Sequence, residues 1–272
     1  MTAELPAALV GALRGASRSG EIALAYSGGL DSRFLAFSAK KAGLTPLLYH
    51  VRGPHVAPAE TRGAIDRARE TGLSVTVVPF DPSVLDLARA GRARCYVCKK
   101  TLFTALMRKV AQDRPSLPLC DGTNASDLTV FRPGRKALEE LGVLSPLAEA
   151  GLSKADIRRI GAAIGLPAPD QAARPCLLTR FPYGVTPSRE ALETVAEVEA
   201  FLETLPEAAG LRYRLRYPEG RPELHWEKCD ALTEEKLGRI ALALNRAFPD
   251  ALRGLTMRSF ETLSGYYDRP NP

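Results

Sequence analysis

No run of the 272-residue chain approaches the roughly 18 consecutive apolar residues that a membrane-spanning helix needs. The N-terminus, Met-Thr-Ala-Glu-Leu-Pro, has no basic stretch ahead of an apolar one and so lacks the pattern of a secretory leader. Cysteines are few, five in all, and odd in number. Without an export signal they are expected to be reduced, in a cytoplasmic protein. There is one C-x-x-C, no second, and no H-x-x-x-H, so the four ligands of a structural zinc site are not supplied.

What is present suits a globular enzyme or binding protein. Hydrophobic residues make up 45% of the chain and charged residues 25%, enough for one large domain or two modest ones. The net charge is +6 and the pI about 9.1. That excess fits an anionic partner, and a small anionic substrate explains it as well as a nucleic acid does.

An apolar run, Ile22 to Tyr26, ends abruptly in Ser27-Gly28-Gly29-Leu30-Asp31-Ser32, and a second apolar segment, Phe34 to Ala39, follows at once. The pattern predicts a buried strand, a tight turn and the start of a helix. Glycines without Cβ let backbone N–H groups close on a ligand. The helix N-terminus adds unpaired donors and partial positive charge, and Ser27 and Ser32 add hydroxyls. This is an anion cradle, and its natural occupant is a nucleotide phosphate. Asp31 repels phosphate unless Mg²⁺ lies between them. A plain N-capped helix is the competing reading. No Gly-Lys-Ser/Thr follows, so the loop is not a Walker A loop. It resembles the PP-loop of the ATP pyrophosphatases. That resemblance implies ATP, cleaved between its α- and β-phosphates as a substrate oxygen is adenylated.

Leu44 to Val51 and Leu73 to Phe80 read as further strands, Leu117 to Cys120 as a fourth, with helices between them stopped at Gly43 and Gly72. Alternating strands and helices predict an α/β fold: a parallel sheet with helices on both faces, Rossmann-like. Ligands of such sheets bind at the carboxyl ends of the strands, where Ser27, His50 and Asp81 stand. His50 either lines an adenine pocket or is a satisfied polar group. Asp121-Gly122-Thr123-Asn124-Ala-Ser-Asp127 occupies the same edge, and Asn124 and Asp127 suit either Mg²⁺ and ribose or a helix cap.

Cys95 and Cys98 form the C-x-x-C at a helix start, open to a zinc, dithiol or iron–sulfur reading, or to one buried and one exposed cysteine. Phe131 to Lys136 is a basic loop. Ser153 and Asp156 cap a helix that ends at the Pro-rich stretch Gly165 to Asp170. A boundary there separates residues 1–166 from a smaller α+β domain, 167–272. Cys176 lies in a punctuated loop between Arg174 and Arg180, whose charges would favour its thiolate and bind a substrate phosphate. A buried structural cysteine is the alternative. A helix from Ser188 to Leu205 carries Glu190, Glu193, Glu197 and Glu199 on its polar face. Arg212-Tyr-Arg-Leu-Arg216 reads as a strand with three arginines on one face, which needs either acidic cross-strand partners or an anion. Glu223 to Trp226 is the candidate partner strand. A helix from Leu232 to Phe248, a last strand within Ala251 to Phe260 and a loose tail from Tyr266 complete the chain.

In order behind the loop stand Arg94-Cys-Tyr-Val-Cys-Lys99, Asp121-Gly-Thr-Asn-Ala-Ser-Asp-Leu128, Arg132-Pro-Gly134, Glu140-Leu-Gly-Val-Leu-Ser-Pro-Leu147 and Cys176-Leu-Leu-Thr-Arg-Phe-Pro-Tyr-Gly184. The ordered set resembles the LarE family across about residues 20 to 216. The resemblance implies an ATP- and Mg²⁺-dependent sulfur transferase of nickel-pincer cofactor biosynthesis. Such an enzyme adenylates a pyridinium dicarboxylate mononucleotide and takes sulfur from a sacrificial cysteine, here Cys176, which becomes dehydroalanine. It implies ATP at Ser27, Gly28, Gly29, Asp31, Ser32, His50, Gly122, Thr123, Asn124 and Asp127, with Mg²⁺ on Asp31. It implies an active-site glutamate at Glu199, with Glu197 in reserve, and substrate on Arg180, Arg212 and Arg214. It also implies a homo-oligomer, a hexamer, with a small anionic carboxylate nucleotide rather than a nucleic acid as partner. Ala168-Pro-Asp-Gln171 departs from the family's Trp-Asp-Lys. A [4Fe–4S] transferase using Cys95, Cys98, Cys120, Cys176 or Cys229, an amide-forming synthetase and a nucleotide sensor are the alternatives.

Overall fold

The computed structural model describes residues 4–129 and 133–268. Phe131 and Arg132 of the expected basic loop, and residues 269–272 of the expected tail, lie outside them. The elements run α1 (Ala7–Ala16), β1 (Glu21–Ala25), α2 (Leu30–Lys41), β2 (Thr45–Arg52), α3 (Pro58–Glu70), β3 (Val75–Pro79), α4 (Leu87–Ala90) and α5 (Arg94–Asp113). There follow β4 (Leu119–Cys120), α6 (Ala125–Leu128), α7 (Pro133–Glu140), α8 (Pro146–Glu149), α9 (Lys154–Ala163), α10 (Arg189–Thr204), β5 (Tyr213–Arg216), β6 (Glu223–Glu227), α11 (Glu234–Ala247) and β7 (Thr256–Phe260). Two compact units result. One holds the described residues up to Gly53, Ala59–Phe80 and Ala93–Arg174; the other holds Pro54–Pro58, Asp81–Arg92 and the described residues from Pro175.

The first unit contains a four-stranded parallel sheet in the order β3-β2-β1-β4. Successive side chains of a strand point to opposite faces, and both faces here are buried. Ile22, Leu24 and Leu48 pack with Leu9 and Leu13 of α1, Phe34 and Leu35 of α2, and Ile157 and Ile160 of α9. Ala23, Tyr49 and Val78 point the other way, onto Phe103, Leu106 and Val110 of α5 and Leu138 of α7. Helices therefore cover both faces of a Rossmann-like sheet. β3 is an edge strand whose Val78 alone is buried. That explains how its run of valines tolerates a closing proline.

Strand order reverses at β1: the chain moves to β2 and β3 on one side and returns to β4 on the other. The crevice beyond the carboxyl ends of β1 and β4 is where such sheets take ligands. Both the Ser27–Gly29 turn and the Asp121–Asn124 turn open into it. Gly122 lets the second turn come close to the first turn of α2, because it has no side chain at the contact. A Cβ on Gly122 would lie 3.1 Å from the backbone nitrogen of Ser32.

In the second unit β5 and β6 are antiparallel, and β6 and β7 are parallel, joined through α11. Leu215, Leu224 and Trp226 are fully buried with Leu192, Val195 and Val198 of α10 and Ile240 and Leu244 of α11. Ser188 caps α10 by accepting from the Ala191 N–H. Tyr266–Asp268 forms a short 3-10 turn where the sequence suggested a loose tail.

Gly28 adopts φ +76°, and a Cβ there would lie 2.4 Å from the Cβ of Ala64 on α3. Gly28→Ala is expected to cost about 1–3 kcal/mol, by overpacking and by backbone strain. Urea denaturation measures it, and an unchanged midpoint would show that α3 yields at that contact.

Candidate functional site

The turn after β1 is held from within. Ser27 Oγ lies 3.1 Å from Ser32 Oγ, the Gly29 N–H donates to Ser27 Oγ over 3.3 Å, and Ser32 Oγ donates to the Gly29 carbonyl at 3.0 Å. Two hydroxyls and the first N–H groups of α2 thus gather at one helix N-terminus, the arrangement that binds phosphate. Asp31 lies in the first turn of that helix. Both its carboxylate oxygens accept from Lys154 Nζ, at 2.6 and 2.7 Å. Lys154 is the first residue of α9, placed by the Ser153–Asp156 capping box and by its own N–H donating to Ser126 Oγ at 3.0 Å. The lysine that a Walker A loop carries is absent from this turn, and the structure brings one from a distant helix. The capping box was readable in the sequence, but the pairing with Asp31 was not.

The neighbouring turn is committed to its own shape. Asn124, 2% exposed, caps α6 by accepting from the Ser126 N–H at 2.9 Å, and Asp127 accepts from the Asn124 N–H at 3.2 Å. Asn124 Oδ1 and Asp127 Oδ2 thus take part in a helix cap, one of the two uses the sequence allows for these side chains. Thr123 and Ser145 hydrogen-bond the buried carboxylate of Asp121. Gly122 serves by having no side chain, as described above.

His50 is held within the protein on both sides of its ring. Its Nδ1 pairs with the Tyr26 carbonyl at 2.9 Å and its Nε2 with Thr61 Oγ1 at 3.1 Å. Both ring nitrogens are engaged within the protein, and burial holds the imidazole below its usual pKa. It is a buried, satisfied histidine that ties β2 to the end of β1.

In the second unit Cys176 is exposed and heads the 3-10 turn Leu177–Arg180. Its carbonyl accepts from the Thr179 N–H at 3.0 Å and from Thr179 Oγ1 at 2.7 Å. Arg180 is 3% exposed and forms a two-pronged pair with Glu199: Nε to Oε1 at 2.7 Å and Nη2 to Oε2 at 2.8 Å. Glu199 Oε1 also accepts from the Leu215 N–H at 3.0 Å. Arg180 Nη1 donates to Thr179 Oγ1 and to the Pro175 carbonyl, the residue before the cysteine. Arg180 and Glu199 therefore neutralise one another and fasten the cysteine loop to α10 and β5. Glu197 is exposed on the same helix.

The arginines of β5 divide. Arg212 is exposed and pairs across the strands with Glu227 at 2.7 Å. Arg216 is buried, donating to His225 Nδ1 at 2.9 Å and to the Leu263 carbonyl at 2.5 Å, and it lies over the Tyr266 ring. His225 Nε2 in turn donates to Glu223 at 2.8 Å. Arg214 lies between them in sequence and burial, with Nη1 donating to the Tyr213 carbonyl at 2.6 Å. The acidic cross-strand partners that a structural role demands are present for Arg212. Arg216, missed by sequence reasoning as a buried group, has burial as the main cause of a pKa lowered to about 10; the charge of Arg180 comes next, Tyr267 opposes it, and Arg214 adds a smaller lowering. The guanidinium groups of this face are near enough to repel one another. Beside them Phe181 and Tyr217 stack with ring centroids 5.3 Å apart and line a cleft of about 670 Å³.

The cysteines are dispersed. Cys95 is exposed and Cys98 buried on α5, and Cys120 is enclosed in the sheet, where burial pushes its thiol up to about 12. Among the described residues no three His, Cys, Asp or Glu side chains gather as a metal-ligand set. No described helix is long and apolar enough to cross a membrane.

Sheet and switch point define a Rossmann-like α/β protein. An uncharacterized protein of Synechocystis is 35% identical over 184 residues, 67% of this chain and 68% of its own. An uncharacterized protein of Methanocaldococcus jannaschii is 32% identical over 182 residues, 67% and 69% of the two chains. The chain belongs to the family of these two proteins. It is also similar, at 28% identity over 201 residues, to the pyridinium-3,5-bisthiocarboxylic acid mononucleotide synthase of Lactiplantibacillus plantarum, covering 73% of this chain and 72% of that one. No protein-family model matches.

Glu199→Ala should leave a buried guanidinium unpaired and cost about 3–5 kcal/mol. Arg212→Ala, at a surface pair, should cost less than about 1 kcal/mol. Urea denaturation compares them; equal costs would refute the division between clamp and surface pair. Burial, opposed by the Glu223 hydrogen bond, lowers His225 from 6.5 to about 4. The unfolded chain then binds the extra proton first as pH falls, so stability is complete above about 6.5 and declines toward about 4. His50 acts in the same direction. His225→Gln should make that decline shallower in urea titrations across this range.

Proposed function

We propose that the chain is an ATP-dependent sulfur transferase that adenylates a carboxylate of a pyridinium dicarboxylate mononucleotide and supplies sulfur from Cys176. The observation that carries this reading is the cradle after β1. Two hydroxyls 3.1 Å apart stand over a helix N-terminus, beside a carboxylate that a lysine neutralises. A site for uncharged ligands has no need of that charge arrangement. The similarity to the Lactiplantibacillus synthase supplies the substrate class.

Residues 1–166 form the adenylation part in this reading and 167–272 the transfer part. Ser27, Ser32 and the backbone of Gly28 and Gly29 hold the phosphates. Asp31 fits Mg²⁺ as one carboxylate ligand, with phosphate oxygens completing the shell, and the ion would neutralise charge developing on pyrophosphate. Lys154 then exchanges its hold on Asp31 for a phosphate oxygen. The substrate carboxylate attacks the α-phosphorus, the bond to the β-phosphate oxygen breaks, and pyrophosphate leaves. The Cys176 thiolate attacks the acyl carbon and displaces AMP, giving a thioester. Removal of the Cys176 Cα proton breaks its Cβ–S bond, leaving dehydroalanine in the chain and the sulfur on the substrate as a thiocarboxylate. Arg180 and Glu199 hold the loop for this step, while Arg214 and Arg216 supply positive charge for the substrate phosphate.

Incubation with ATP, Mg²⁺ and pyridinium-3,5-dicarboxylic acid mononucleotide should release AMP and pyrophosphate and lighten the Cys176 peptide by the elements of H₂S. Cys176→Ser should still release pyrophosphate yet form no thiocarboxylate. A thiocarboxylate product with Cys176 unchanged in mass would rule out this sulfur source.

A further inference from the structure

The carbonyl of Gly28 is held from two sides, by Arg67 Nε and by Gln171 Nε2, each at 3.2 Å. Gln171 is itself fixed, because its Oε1 accepts from Arg33 Nη1 at 2.6 Å. Arg33 lies on α2, 4% exposed, and also donates to the Ala168 and Pro167 carbonyls. Its hydrogen-bond partners among the described residues are neutral oxygens of the 167–171 turn; burial is the main cause of a lowered pKa. The turn is not a relaxed one. Ala168 has φ +44°, in the left-handed region that favours glycine, and Gln171 N–H closes on the Ala168 carbonyl at 3.3 Å. A non-glycine residue stays there only where its surroundings hold it.

We infer that Gln171 and Arg67 are positioning residues for the phosphate loop, with Arg33 and the strained turn holding Gln171 in place. A peptide unit is planar and trans, so its C=O and N–H point in opposite directions. Fixing the Gly28 carbonyl therefore aims the Gly29 N–H, and that N–H points back into the cradle at Ser27 Oγ. Its bond there is long, 3.3 Å, and is readily exchanged for a phosphate oxygen. Without the two donors the peptide could rotate, since Gly28 has no side chain to resist it. An amide serves at position 171 because it accepts from Arg33 and donates to Gly28 at once.

The inference rests on the nucleotide reading of the loop, and two variants of Gln171 separate the two claims. Gln171→Glu keeps an acceptor for Arg33 but loses the donor to Gly28. Gln171→Met loses the donor without adding charge. ATP dissociation constants from equilibrium dialysis, at a salt concentration high enough to screen the added carboxylate, should rise about tenfold in both, the scale of one unpaired neutral hydrogen bond. The melting temperature of Gln171→Glu should not fall, which a merely structural role would not allow alongside weakened ATP binding. Wild-type affinity in both variants would overturn this inference alone. Failure of the wild-type protein to bind ATP would overturn the nucleotide reading and this inference with it.

Discussion

The ion pair between Asp31 and Lys154 ties the turn after β1 to α9, and several elements of the first unit fix where that lysine stands. Asp31 stands in the first turn of α2, where its charge suits the helix dipole and opposes a phosphate. The lysine reaches it only because α9 begins there, and α9 begins there because Ser153 and Asp156 cap it reciprocally. Ser126 then holds the Lys154 backbone, and the α6 turn that carries Ser126 is fixed by Asn124. Each cap is worth about 1 kcal/mol in stability, but together they set the direction of one charge.

The second unit solves a similar problem with a different pair. Arg180 is almost fully buried, and an unpaired guanidinium there would be costly. Glu199 meets it with both oxygens and still accepts from β5. The loop headed by Cys176 is therefore shaped by charge and backbone contacts, and the cysteine is left exposed. Among the described residues Arg216 forms no such ion pair. A histidine, a carbonyl and a ring face surround it, which leaves positive charge on the polar face of the sheet.

The sheet and most helices were legible because their signals are local. Apolar runs stopped by Gly43 and Gly72 mark strand and helix limits to within a residue or two, and the Ser153–Asp156 spacing marks a cap. The turn after β1 was legible for the same reason, since its parts are contiguous. Contacts across sequence were not. Arg180 and Glu199 carry no shared signal, and which residue faces Asp31 depends on β4 lying beside β1. His50, Asn124 and Asp127 each had a structural and a functional reading, and the structure shows partners within the protein for all three. The pairing of Arg212 with Glu227 was closer to readable, because the register of the β5–β6 hairpin follows from its length. The parallel pairing of β7 was not, because α11 could have led the chain to either edge.

The contact between Gly28 and Ala64 makes two distant positions into one functional word. A larger residue at position 64 would push the loop off α3 as surely as a side chain on Gly28 would. A pattern written only as S-G-G-x-D-S therefore spells half of the device. Among related chains, drift at position 64 should be confined to alanine and glycine wherever the glycine pair persists, so that a small residue in the third helix tells loops that close in this way from loops that only share its letters.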